Sequence, residues 1–255
     1  LSSPLIINHT CTEFTQIPDQ MIAAAKNRIR CYYAHTSHGE QLTFGLTKIM
    51  ENDSQYALSI DRKHLSLSKT AVSIMDNPYV APEGFWASSK GRARTEEIIN
   101  RNSSINLCMW CWCGQLGIYT PGQVQEYLDA MAFFEKKYPD VTFVYITGHA
   151  QQGGKKGYNR YICNNIIRKW VKSCQDKNRV LFDFADIDTW RFSPQTGKWE
   201  QSTYNYWNGK EYIHVPVEHP GFHGNEKAHT TIESCMQKGK AAWWMFARLS
   251  GWQPL

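Results

Sequence analysis

The sequence has no apolar run approaching the roughly 18 residues of a membrane span, which excludes a transmembrane helix. It has no internal repeat, no low-complexity stretch and no Pro/Ser-rich linker, so its 255 residues read as one domain. It also lacks a dominant charge: 28 Lys and Arg against 23 Asp and Glu leave a formal net charge of +5. Lys155-Lys156 and Arg168-Lys169 are isolated basic pairs that read as solvated faces, so nucleic acid is not an expected partner. The chain opens on Leu1 without a methionine. The expectation is a secreted or periplasmic protein whose leader has been removed.

Eight cysteines are present, but a chain this long does not need a disulfide scaffold. Cys31 and Cys108 sit in apolar runs and read as small buried hydrophobes. Cys163 and Cys174 flank an expected helix, about 16 Å apart and beyond disulfide reach. Cys111-Trp112-Cys113 is too short for a zinc knuckle and has no second pair at metal spacing. An oxidising compartment is permitted by this pattern and not required by it. No cofactor is called for.

What is present is an alternation of strand and helix. Residues 28–34, 105–112, 141–147 and 179–184 read as buried strands. Residues 40–51, 164–173 and 231–249 carry apolar side chains at helical spacing. Thr120-Pro121-Gly122-Gln123 forms a capping box with proline at the first helical position, opening a helix through Val124, Tyr127, Leu128, Met131 and Phe134. Residues 190–222 are aromatic and poorly periodic, an expected excursion. Continuous apolar strands separated by helices point to an α/β fold, a central parallel sheet covered on both faces.

In such a sheet, ligands bind beyond the carboxyl ends of the strands. The strand exits here are His-Thr-Ser-His-Gly, Cys-Gly-Gln, Gly-His-Ala-Gln and Ala-Asp-Ile-Asp, each carrying a chemically capable side chain. Ser37 lies at a strand-to-helix turn, where free amides suit either a nucleophile's oxyanion or an ordinary helix cap. A serine nucleophile needs a base, and the base needs an orienting carboxylate. His229, three residues after Glu226 and just before the final helix, can fill the first role and Glu226 the second. Gln115 can donate an amide hydrogen to an oxyanion.

Together these pieces resemble the SGNH/GDSL hydrolase superfamily, in the order Ser37, Gln115, Glu226–His229. The closer resemblance is to a largely uncharacterised bacterial SGNH-like family. It rests on Tyr-Ala-His-Thr-Ser-His-Gly (33–39), Trp-Cys-Gly-Gln (112–115), Phe-Val-Tyr-Ile-Thr-Gly-His (143–149), Leu-Phe-Asp-Phe-Ala-Asp-Ile-Asp (181–188) and the stretch 238–252. The resemblance implies a three-layer α/β/α flavodoxin-like sandwich and ester hydrolysis. By the same resemblance, Ser37, His229 and Glu226 form the triad, and the Ser37 amide, Gln115 and a glycine hold the oxyanion. Gly84 is taken for that glycine, with Gly91 competing. His38, His149 and Asp186 are expected to bind substrate.

Three departures stand out. His-Thr-Ser-His-Gly replaces Gly-Asp-Ser, Gln115 replaces asparagine and Glu226 replaces aspartate. The expected substrate is a small-molecule or glycan ester, for example an O-acetyl group on a carbohydrate. The aromatic excursion supplies rings that stack on sugars or form a satellite core. Two other classes remain open. One is a glycan-binding protein without turnover. The other is a metal-dependent hydrolase using His35, His38, His149 and His229. The oligomeric state is left open.

Overall fold

In the computed structural model, which describes residues 3–173 and 179–254, seven strands form one parallel sheet. They are β1 (Leu5–Ile7), β2 (Arg30–His35), β3 (Leu58–Asp61), β4 (Val72–Pro78), β5 (Leu107–Cys111), β6 (Thr142–Ile146) and β7 (Val180–Phe182), in the spatial order β1-β7-β6-β5-β2-β4-β3. The expected α/β class is the observed one, a helix-covered sheet consistent with a flavodoxin-like three-layer sandwich. The four strands expected from apolar runs are β2, β5, β6 and β7; β2 starts two residues later and runs one further, to His35, and the other three are trimmed at both ends. β1, β3 and β4 had no clear signal; β3 is only half-buried and ends on exposed Asp61.

Two apolar layers cover the sheet. On one face, α1 (Asp19–Arg28), α2 (Glu40–Asn52) and α7 (Ile232–Leu249) bury Ile22, Leu42, Leu46, Ile49 and Trp243. On the other, α3 (Ser89–Arg101), α4 (Pro121–Lys137) and α5 (Gly154–Lys172) bury Ile99, Leu128, Phe134 and Ile167 around Trp86, Trp110 and Trp112. Side chains alternate across a strand, so Cys31 and Tyr33 face the first layer while Tyr32 and Ala34 face the second. At the α2–α7 crossing, a Cβ on Gly45 would overlap the Cys235 carbonyl, and one on Gly239 would overlap the Gly45 backbone. Only glycine allows these two backbones to meet so closely.

The capping box at α4 forms as read: Thr120 Oγ1 accepts from the Gln123 amide, and Gln123 Oε1 accepts from the Thr120 amide. Helix α5 begins ten residues earlier than its apolar face suggested, at Gly154. Phe184, read as the end of a strand, instead opens the short helix α6 (Phe184–Thr189) under the Asp183 cap. The expected excursion contains two antiparallel hairpins, β8 (Trp190–Ser193) with β9 (Lys198–Gln201) and β10 (Thr203–Trp207) with β11 (Tyr212–Pro216). Among the described residues, no helix is long and apolar enough to cross a membrane. Cys163 is buried in α5 as a free thiol; Cys174 lies outside the described residues.

The order makes β2 and β5 neighbours whose onward connections run opposite ways, from β2 out to β3 and from β5 to β6. Such a switch leaves a crevice at the strands' carboxyl ends. The register aligns His35 with Cys111, the last residues of β2 and β5. Thr36 closes the seam by donating its amide to the Cys111 carbonyl at 3.1 Å. Two residues beyond each strand end stand Ser37 and Cys113.

Candidate active site

Ser37 opens a single 3-10 turn (Ser37–Gly39) that runs into α2. Its amide occupies the first helical position, where helical geometry supplies no acceptor. The turn is tight because Gly39 packs on the His35 side chain, leaving no room for a Cβ, and Tyr33 Oη donates to the Gly39 carbonyl at 2.9 Å.

The Ser37 hydroxyl meets Cys113 Sγ at 3.0 Å. His38 Nδ1 meets the same sulfur, also at 3.0 Å. His38 Nε2 lies 2.9 Å from Gln151 Oε1. Gln151 Nε2 donates to Glu218 Oε1 at 3.2 Å and to the His229 carbonyl. Glu218 Oε1 also accepts from Thr230 Oγ1 at 3.2 Å. These contacts make a continuous polar chain from Ser37 through Cys113, His38 and Gln151 to Glu218, drawn from four separate segments.

Burial pushes the Cys113 thiol up, but the His38 hydrogen bond and charge, with the Ser37 hydroxyl, outweigh it and bring the thiol down to about 7. Cys113 is half-buried, whereas Cys111 is fully buried and its thiol is pushed up to about 12 by desolvation. Glu218 is pushed up to about 7, first by burial and then by the nearby Asp188 carboxylate. Asp188 is ion-paired with Lys238, which is wholly buried in α7.

The structure brings Ser37, His38, His149 and His229 together. The His38 ring stacks between His149 at 3.8 Å and His229 at 4.8 Å between centroids. His149 is buried and held neutral: desolvation, then the neighbouring His38 and Arg160 charges, push its pKa well below the usual histidine value. His229 is more exposed, and the same two kinds of effect, burial first and His38 second, lower its pKa. Ala228 and His229 both adopt left-handed backbone, at φ 46° and 72°. Such consecutive non-glycine residues are strained by about 1–3 kcal/mol each. The carbonyls of both are held in place, that of Ala228 by Gln41 Nε2 at 2.7 Å and that of His229 by Gln151.

Other expected residues are engaged elsewhere. Glu226 Oε2 accepts from the Ile232 amide at 2.7 Å, so it caps α7. Among the described residues it makes no hydrogen bond to His229, and no hydrogen bond joins His229 to Ser37. Asp186 binds the His9 amide at 2.9 Å and His9 Nδ1 at 2.5 Å, anchoring the N-terminal segment. The Gly84 amide donates to the Ala81 carbonyl at 2.9 Å, and the Gly91 amide to Ser88 Oγ at 2.9 Å, so neither is free for an oxyanion. Gln115 does sit beside the reactive corner: its Oε1 accepts from the Cys113 amide at 2.6 Å. That orientation presents the side-chain NH2 as a donor to another acceptor.

His35 is a structural residue, buried with Nε2 3.0 Å from Asp76 Oδ1 and Nδ1 2.8 Å from the Thr36 carbonyl. Both His38 nitrogens are engaged and its ring is face-stacked, so the histidines do not converge their nitrogens on a point. Among the described residues no group of three or more His, Cys, Asp or Glu side chains is disposed to hold a metal ion.

Sequence reasoning missed Cys113, Gln151 and Glu218. Two of them had a usable signal, since Cys113 follows β5 and Gln151 follows β6 at the same sheet edge as Ser37. Glu218 had none, because it arrives from the far side of the second hairpin. Compared with protein-family models and with curated proteins, the chain matches none.

Proposed function

We propose that the chain is a carboxylic ester hydrolase that works through a covalent acyl intermediate at the Ser37–Cys113 corner. One observation carries this reading. A histidine, His38, links two side-chain nucleophiles to an orienting amide and a buried carboxyl group, at the switch-point crevice of a parallel sheet. That is the nucleophile, base and orienter constellation of acyl-transfer sites. The Ser37 amide and the Gln115 side-chain NH2 supply oxyanion donors, each worth about 3–4 kcal/mol of barrier. The proton carrier in this reading is His38, with His149 and His229 walling its ring.

A cleft of about 240 Å³ is lined by Glu40, Phe44, Asp76, Tyr79 and Lys227, among others, and Ser37, His38 and Cys113 are not in its wall. Glu40 follows the Ser37 turn directly, and Lys227 precedes the His229 loop. The cleft mixes an aromatic ring with an ion pair between Lys227 and Glu40 at 2.7 Å. The exposed Trp207 and Tyr212 rings, 5.3 Å apart on the second hairpin, favour a carbohydrate as the alcohol part of the ester.

The test is hydrolysis of p-nitrophenyl acetate and of an acetylated oligosaccharide by the native chain, with and without a chelator, beside His38→Ala. The expected result is chelator-insensitive turnover, reduced at least a hundredfold in the variant. Equal rates for the two proteins, or release of no acid from any ester, would refute the reading.

A further inference from the structure

We infer that the nucleophile is the thiol of Cys113, and that Ser37 serves it as a hydrogen-bond donor. This rests on the hydrolase reading above and names its reacting atom. Three geometric observations support it.

First, the base contacts the sulfur. His38 Nδ1 is 3.0 Å from Cys113 Sγ, whereas the Ser37 hydroxyl has that same sulfur as its partner and no histidine nitrogen. A serine activated by general-base catalysis needs an imidazole nitrogen within hydrogen-bond reach. Second, the tautomer is fixed. Gln151 Nε2 faces two acceptors, the Glu218 carboxyl and the His229 carbonyl, so Oε1 must face His38. His38 Nε2 therefore carries a hydrogen, and neutral Nδ1 is an acceptor aimed at the thiol. Third, Cys113 is only partly buried, two residues past the end of β5, while Cys31, Cys108 and Cys111 lie fully buried within the sheet. The depressed thiol pKa agrees with this geometry.

The reaction balances within these groups. The Cys113 proton passes to His38 Nδ1, and the Ser37 hydroxyl turns to donate to the thiolate. The thiolate attacks the ester carbonyl carbon, forming a C–S bond as the carbonyl π pair moves to oxygen. Collapse breaks the C–O bond, and His38 returns its proton to the departing alcohol. Water then attacks the thioester while His38 takes one of its protons. The C–S bond breaks, the thiolate is restored beside protonated His38, and the carboxylic acid leaves. The sum is ester plus water giving acid plus alcohol, with no oxidant or reductant.

The experiment has two readouts. One is the pH dependence of iodoacetamide alkylation at Cys113, followed by peptide mass spectrometry, in native protein and His38→Ala. The other is p-nitrophenyl acetate turnover, with acid-quench detection of the acylated residue, in native protein, Cys113→Ala and Ser37→Ala. The expected alkylation inflection is about 7, moving towards the ordinary thiol value of 9 in His38→Ala. The expected acyl group sits on Cys113; turnover falls at least a hundredfold in Cys113→Ala and no more than tenfold in Ser37→Ala.

Turnover surviving in Cys113→Ala and lost in Ser37→Ala would overturn the thiol assignment and leave the hydrolase reading standing. Stoichiometric acylation of Cys113 without turnover would support the assignment and remove hydrolysis. An alkylation inflection near 9 in the native protein, with no acyl adduct on Cys113, would overturn the assignment outright. The native-protein alkylation keeps the test decisive should a variant misfold.

Discussion

Gln151 Oε1 accepts from His38 Nε2 at 2.9 Å, and this one contact decides which histidine nitrogen faces the reactive corner. The amide is held on its other side by the Glu218 carboxyl and the His229 carbonyl, so it cannot flip without setting its own oxygen against two acceptors. A loop residue after β6 thereby sets the protonation pattern of a residue after β2.

Gln151→Ala removes that constraint without touching the thiol. The His38 ring keeps its stacking between His149 and His229 but gains freedom to populate the other tautomer. Loss of one hydrogen bond to a group that becomes charged is worth about 1.5–3 kcal/mol. The expected outcome is a fall in Cys113 alkylation rate at pH 7 of about tenfold to a hundredfold, with the inflection shifted upward. Stopped-time alkylation across pH 5–10 measures both.

Glu226→Ala separates the sequence expectation from the structure. A triad carboxylate would cost orders of magnitude in turnover when removed. A residue that accepts from the Ile232 amide instead stabilises the start of α7, where a carboxylate also meets the positive end of the helix. The expected outcome is a loss of about 1 kcal/mol in stability, since Thr231 still caps the Ser234 amide, with turnover and its pH profile unchanged. Urea unfolding beside ester hydrolysis distinguishes the two.

The fate of Glu226 shows where the sequence is informative. Apolar runs announce β2, β5, β6 and β7 because a strand buried on both faces must be apolar at every position. The Thr120 capping box is legible because its contacts are three residues apart. Strand exits are legible as an edge, and Ser37, His38, His149 and His229 meet there. What a short motif cannot convey is where its side chains point: Glu226 lies three residues before His229, yet left-handed backbone at Ala228 and His229 separates their directions. Nor does a local pattern reveal register. Cys113 meets Ser37 because His35 pairs with Cys111 across 76 residues of chain, a fact no window of sequence contains.

Glu218 gives the buried network a pH signature. Its pKa rises from an ordinary 4.5 to about 7 in the folded chain, through burial and then Asp188. A carboxyl whose folded pKa is raised binds its proton more tightly when folded. Its favourable contribution is complete below about 4.5 and is lost as pH climbs to about 7, where folding must bury the charge beside Asp188. Glu218→Gln keeps a neutral hydrogen-bonding group of similar shape at every pH. The expected outcome is a variant about as stable as the native chain at pH 4.5 and more stable at pH 8, seen as converging and diverging thermal midpoints. A native advantage that grows with pH would reverse the sign and refute the burial argument.

The second hairpin offers a test of substrate size. Four Trp and Tyr rings of the excursion are packed: Trp190 stacks on His9 at 4.5 Å and Trp199 meets the same ring edge-on at 5.2 Å, Tyr206 stacks on Tyr158 at 4.5 Å, and Tyr204 Oη donates to the Gly154 carbonyl at 2.8 Å. Trp207 and Tyr212 instead lie 52% and 73% exposed across the hairpin tip. The strand from Tyr212 reaches Glu218 after six residues, and an extended chain covers that in about 20 Å. A small ester at the Ser37–Cys113 corner cannot touch the tip, whereas a glycan of several sugars can. Trp207→Ala and Tyr212→Ala should each change stability by no more than about 0.5 kcal/mol, as exposed positions do. With p-nitrophenyl acetate both variants should match the native kcat/KM. With an acetylated polysaccharide, KM should rise about fivefold to thirtyfold at constant kcat, the loss of one stacking contact worth about 1–2 kcal/mol. Unchanged KM on the polymer would leave the hairpin without a part in binding and turn the substrate towards a small, ring-free ester.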